Sequence, residues 1–171
     1  MIHFYSAILK KNSVINKKRI SIGLLNLFRH HPKPVVRNPF LNGQLAQTGS
    51  GTLLWPVPNY KYVSRWMSSY HKGADICAAY GSPIYAADSG VVVTAGWHYS
   101  YGNYVIIDHG NGYRTLYAHA SRLAVGYGQA VSQGQVIAYV GSTGNSTGNH
   151  CHFEVYVNGV RRSAREWFGG M

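Results

Sequence analysis

Two short stretches of this 171-residue chain concentrate side chains able to hold a metal. "SSYHKGADI" carries His71 and Asp75, four apart with Gly73 between them, and "GNHCHFEV" carries His150 and His152 on either side of Cys151. Side chains alternate in an extended chain, so residues two or four apart share a face and each pair can address one cleft. Two imidazoles and a carboxylate, with a position left open to water, form a plan for catalytic zinc; a structural zinc site is closed by four protein ligands, usually including thiolates. Only one residue of the second pair need be a ligand, which frees the other for acid-base work. His119, in "LYAHAS", is a further candidate, because a free imidazole titrates near neutrality. His98 and His109 have no partners at such spacings and are expected to be structural or exposed. Glu154 shares the face of His150 and His152, where it would either orient an imidazole or pair with an arginine. Cys151 faces away from both histidines while Cys77 shares the face of Asp75, so two free thiols are expected rather than a disulfide.

The elements that must position these residues are strands. From residue 52 onward the sequence is a series of short β-branched or aromatic runs bounded by glycine, among them "SPIYAADSGVVVTAGW", "GNYVIIDHG", "GYRTLYAHA" and "QAVSQGQVIAYVGS". No long 3.6-residue period occurs. The expectation is an all-β domain: a twisted antiparallel, sandwich-like sheet structure with a groove. Asn111-Gly112 predicts a type I′ hairpin turn, which requires positive φ at both central residues. Short helical turns are expected at 120–124 and 163–168. Tyr99, Tyr101, Tyr104, Tyr113 and Tyr117 fall around the expected cleft, although tyrosine is also favoured in strands on packing grounds.

Charge divides the chain in two. Residues 1–50 hold eight basic residues and no acid, a net +8; residues 51–171 hold eight basic and five acidic residues, a net +3. Residues 1–50 therefore form a basic leader, expected to be disordered, with 29–51 rich in Pro, Gly, Asn and Gln as linker. A basic arm is suited to weak binding of anionic surfaces. A specific nucleic-acid function is not expected, since the leader has few aromatics and no accompanying fold motif. "KKNSVINKKR ISIGLLNLF" has a positive segment and an apolar run, but that run is nine residues long, contains Asn26 and leads into "RHHPKP", so it is not a convincing export signal.

Linked motifs carry a resemblance. "HKGADI", "YGSPIYAADSGVVVTAGW", "YGNYVIIDHGNGYRTLYAHAS", "GQAVSQGQVIAYVGSTGNSTGNHCHFEV" and "VNG" make residues 53–160 similar to the lysostaphin/LytM-type zinc metalloendopeptidases. The resemblance implies a metallopeptidase domain over 51–171 with one zinc ion per chain. It implies His71, Asp75 and His152 as metal ligands and His119 and His150 as catalytic histidines. The implied activity is hydrolysis of peptide bonds in bacterial peptidoglycan, by a monomer located outside the cell or in its envelope. Cys151 replaces a leucine common in the family, and Asn149 stands where proline is frequent. A different class, a non-catalytic wall-binding or amidase-activating module of the same fold, is disfavoured because all five residues are present. No H-E-x-x-H or Gly-x-Ser-x-Gly motif offers another mechanism.

Overall fold

The computed structural model describes residues 48–169 and, upstream, the backbone of two short strands, β1 (Phe40–Leu41) and β2 (Gln44–Leu45), which pair with each other. The remaining strands are β3 (Tyr62–Arg65), β4 (Ala74–Cys77), β5 (Pro83–Tyr85), β6 (Gly90–His98), β7 (Gly102–Asp108), β8 (Tyr113–Ala120), β9 (Arg122–Leu123), β10 (Ala130–Val131), β11 (Val136–Tyr139), β12 (His150–Val157) and β13 (Val160–Arg162). One helical turn, α1 (Arg165–Phe168), follows them. The rest of the predicted leader lies outside the described residues.

Every strand pairing is antiparallel. The main sheet runs β10-β6-β7-β8-β12-β4-β3, with β13 beside the C-terminal half of β12, and a three-stranded sheet runs β5-β11-β9. A single apolar cluster takes side chains from both sheets, including Ile84 and Ile137 from the smaller one and Ile76, Val105, Tyr117 and Phe153 from the larger. The all-β, sandwich-like expectation holds.

Alternation along β12 makes the site. Cys151, Phe153 and Val155 are fully buried in the core. His150, His152 and Glu154 therefore occupy the other face of the sheet. Register aligns that face with its neighbours: His152 lies opposite Asp75 on β4 and Ala118 on β8, and His150 lies opposite Cys77. Directly opposed residues hold their Cβ atoms about 5 Å apart, close enough for short side chains to share a ligand.

Four expectations are corrected. The β7–β8 hairpin exists, but Asn111 does not have the positive φ a type I′ turn demands; Gly110 and Gly112 do, at 74° and 90°. The loop is longer because Asn111 works through its side chain, accepting a hydrogen bond from Tyr113 N at 3.2 Å and donating one to Gly49 O at 3.0 Å. Residues 49–51 are not free linker: Gly49 N bonds His109 O and Gly51 N bonds the Asp88 carboxylate, both at 2.7 Å. Arg122 and Leu123, expected in a helical turn, instead form β9 against β11, with the Arg122 guanidinium 3.4 Å from the centre of the Tyr139 ring. Tyr113 and Tyr117 are away from the cleft: Tyr113 packs edge-on against Trp167, and Tyr117 is fully buried in the core. The turn expected at 163–168 does form, as α1, and sends Phe168 against Trp55 with ring centres 5.0 Å apart.

Candidate active site

β4 and β12, together with the segment leading into β4, bring His71, Asp75 and His152 to one point. His152 Nδ1 lies 2.8 Å and His71 Nε2 3.1 Å from Asp75 Oδ1, and the three ligand atoms all lie within 4.8 Å of one another. Gly73 lets the chain approach closely here, since a Cβ at that position would overlap the Phe153 carbonyl on β12.

The chemistry of these donors fits zinc. His71 Nε2 is buried and makes no hydrogen bond despite its nearness to the carboxylate. His152 Nε2 lies 3.0 Å from Glu154 Oε1, so its N–H donates there and its Nδ1 lone pair is left facing the Asp75 oxygen. Two ring nitrogens and an oxygen thus converge with lone pairs inward, an arrangement resolved by a cation. Burial lowers the affinity of His71 for a proton. At Asp75 burial works upward, but the surrounding imidazoles of His152, His150 and His71 prevail and hold the carboxyl below its ordinary range.

Glu154 is bound more tightly than the sequence could show. Its carboxylate is fully buried and touches His152, Tyr101 Oη (2.8 Å), Tyr156 Oη (2.5 Å) and Arg161 Nε (2.6 Å). Burial alone would raise its pKa, yet the hydrogen bonds win and bring it down to about 2. Imidazole orientation and an arginine salt bridge, the two expectations for this residue, are both met, one oxygen serving each.

His119 reaches the site by breaking the alternation of its strand. Ala118 lies opposite His152, so the next residue of a regular strand would point to the core; His119 instead has φ +63°. Its ring consequently stands 4.7 Å from that of His150 and 5.9 Å from that of His152. A non-glycine residue in the left-handed region is costly and persists where its surroundings hold it. Here His119 N donates to Tyr101 O (2.8 Å) and its Nδ1 donates to Thr143 O (2.8 Å). His150 Nδ1 likewise donates to Gly148 O (2.8 Å). Both rings therefore carry a proton on Nδ1 and turn Nε2 to the groove. Burial lowers the pKa of His119, so the ring stays neutral near neutrality.

The loops that present these rings interlock. Gly102 and Gly144, both at positive φ, touch so closely that a Cβ on Gly102 would overlap Thr143 and one on Gly144 would overlap Gly102 N. Asn145 N bonds Ser100 O at 2.9 Å. Together with β3 and the 70–72 segment they enclose a groove of about 870 Å3, also lined by Tyr99, Tyr101 and Cys77. Both cysteines are free, and Cys151 is buried behind the ligands with its thiol pKa pushed up by that burial. His98 lines the groove, whereas His109 is fully buried and structural.

The model of peptidase family M23 matches residues 69–163, a span that contains all five of these residues. The chain belongs to this family. M23 relatives include the peptidoglycan DD-endopeptidase ShyC of Vibrio cholerae, 45% identical over 95 residues that cover 56% of this chain and 22% of that protein. Among solved structures, a zinc-containing peptidase from Vibrio cholerae superposes with a TM-score of 0.62 and 34% identity, covering 64% of this chain and 38% of that one. Lysostaphin from Staphylococcus simulans gives 0.58 and 34%, covering 66% and 50%. The chain spans about a fifth of the length of these curated relatives, so the likeness covers only part of each.

Proposed function

We propose that this chain is a zinc-dependent endopeptidase that hydrolyses peptide bonds in the cross-links or stems of bacterial peptidoglycan and works in the cell envelope. The observation that carries the reading is the convergence of His71, Asp75 and His152 on one point beside two histidines, His119 and His150, whose Nε2 atoms face the same groove. The kinship to ShyC, named as a peptidoglycan DD-endopeptidase, supports the substrate and favours a bond between D-residues. It also supports the location.

His71, Asp75 and His152 would hold zinc, which supplies polarisation of the scissile carbonyl and water acidified toward a pKa of about 7. His119 and His150 handle protons. Between them they accept the proton of the attacking water, donate to the developing oxyanion and return a proton to the leaving amine. The backbone carbonyls of Thr143 and Gly148 hold each ring in the tautomer this requires. Glu154 keeps the His152 ring turned so that Nδ1 faces the ligand cluster.

Digestion of purified peptidoglycan, with mass spectrometry of the fragments, tests the reading and identifies the bond. Chelation is expected to stop release and added zinc to restore it. His152→Ala should lose both metal and activity, whereas His119→Ala should keep zinc and lose turnover by at least about a hundredfold. Unchanged turnover in His119→Ala would remove the role assigned to that residue.

A further inference from the structure

Residues 51–171 contain eight basic side chains, and five of them are engaged. Arg114, Arg161 and Arg162 pair with Asp108, Glu154 and Glu166 at 2.8, 2.6 and 2.6 Å. Arg122 lies over the Tyr139 ring, and Arg165 over that of Trp66 at 4.8 Å. The other three, Lys61, Arg65 and Lys72, are exposed, have no carboxylate partner among the described residues, and all line the groove.

No acid is left to neutralise them. Asp88 accepts hydrogen bonds from Gly51 N and Ser89 N away from the groove, and Asp75, the one carboxylate lining it, is committed to the ligand cluster. Unpaired cations are ordinarily scattered over a surface; here they share one wall.

Backbone geometry puts them there. Continued in step, the pairing of Tyr62 with Cys77 and Val63 with Ile76 would set Ser64 opposite Asp75. A register shift after Val63 sets Arg65 opposite Asp75 instead, so the bulge turns the guanidinium-bearing residue onto the groove face. Lys61 N bonds Cys77 O at 2.8 Å, fixing the start of β3 along the same wall, and Lys72 directly follows the ligand His71. The 98–101 and 145–149 segments that also line the groove carry no Lys, Arg, Asp or Glu.

We infer that this wall is a carboxylate-recognition site, and that the groove selects peptides bearing free carboxylates near the scissile bond over amidated or uncharged peptides of the same length. The inference rests on the endopeptidase reading and specifies its substrate. A guanidinium matches a carboxylate with two parallel hydrogen bonds, and lysines at a groove rim attract anions in a salt-dependent way. A bridge of glycine residues has no carboxylate to offer this wall.

The test uses two synthetic cross-linked peptide dimers, identical except that one carries stem carboxylates and the other carboxamides. The zinc-loaded wild-type protein should favour the carboxylate dimer in kcat/KM by at least about tenfold at low salt, chiefly through KM, with the preference shrinking as salt rises. Arg65→Gln should lower kcat/KM for the carboxylate dimer by about five- to tenfold and leave the amide dimer within about twofold. Lys61→Gln combined with Lys72→Gln should flatten the salt dependence. Equal cleavage of both dimers by the wild-type protein, or equal loss on both in Arg65→Gln, would overturn the inference while the endopeptidase reading stands. Calorimetric binding of each dimer to His119→Ala separates the two in the other direction. If neither dimer is cleaved but the carboxylate form binds more tightly through Arg65, the endopeptidase reading fails and the recognition site remains.

Discussion

His152 uses both ring nitrogens, one toward Asp75 and one toward Glu154, so the state of one side governs what the other can do. Glu154→Gln keeps the shape of the side chain but removes its charge, and its amide can present nitrogen rather than oxygen to His152. Zinc affinity, measured by competition with a chromophoric chelator, should fall about tenfold to a hundredfold with the protein still folded. Unchanged affinity would limit Glu154 to the Arg161 salt bridge. At this scale the sequence was legible where parity decides the answer: the even spacing of His150, His152 and Glu154 puts them on one face, and Cys151 on the other. His119 was not legible in that way. Parity alone sends it into the core, and only the left-handed backbone at that residue, fixed by Tyr101 and Thr143 from distant segments, returns it to the groove. Arg65 was missed for a related reason, because a bulge changes which residue of β3 opposes Asp75.

Among the elements, the loops at 100–103 and 141–145 set the position of His119. Gly144→Ala introduces a Cβ at φ +73° against the backbone of Gly102. The strain of such a residue is about 1–3 kcal/mol, and the overlap must in addition push the two loops apart. Activity should fall by more than tenfold, while zinc content is retained because no metal ligand lies on either loop. Equal activity with an unshifted melting temperature would mean that the loops tolerate separation. Runs of β-branched residues bounded by glycine announced the strands and their antiparallel character correctly. Turn chemistry was less legible: Asn111-Gly112 has the composition of a two-residue turn, but the Asn111 side chain is engaged with Gly49, which lies sixty-two residues away in sequence.

At the scale of the whole molecule, a buried hydrogen-bond chain ties the 87–89 segment to β8 and the β7–β8 loop: Ala87 N donates to Tyr117 Oη, which bonds Thr115 Oγ1 at 2.7 Å, which bonds His109 Nε2 at 2.8 Å, while His109 Nδ1 donates to Ser89 O. Burial lowers the pKa of His109 below its unfolded value. The unfolded chain then takes up the proton first as pH falls, so the contribution of His109 is complete above about pH 6.5 and declines below it. Stability is therefore lost as pH falls from 7 to 5.5, and urea unfolding of His109→Gln should show a shallower pH dependence than the wild-type protein. Parallel slopes would mean that folding leaves the affinity of His109 for a proton unchanged. That the unengaged cations collect on one wall could not be read from the sequence, since pairing is settled by partners far apart in the chain. The glycine contact between the loops has a practical corollary for engineering. Because Gly102 lies against Thr143, and Gly144 against Ser100 and Gly102, with no room for a side chain, transplanting one loop from a relative to retarget cleavage would produce a misfitting chimera, and the two must be exchanged as a matched set.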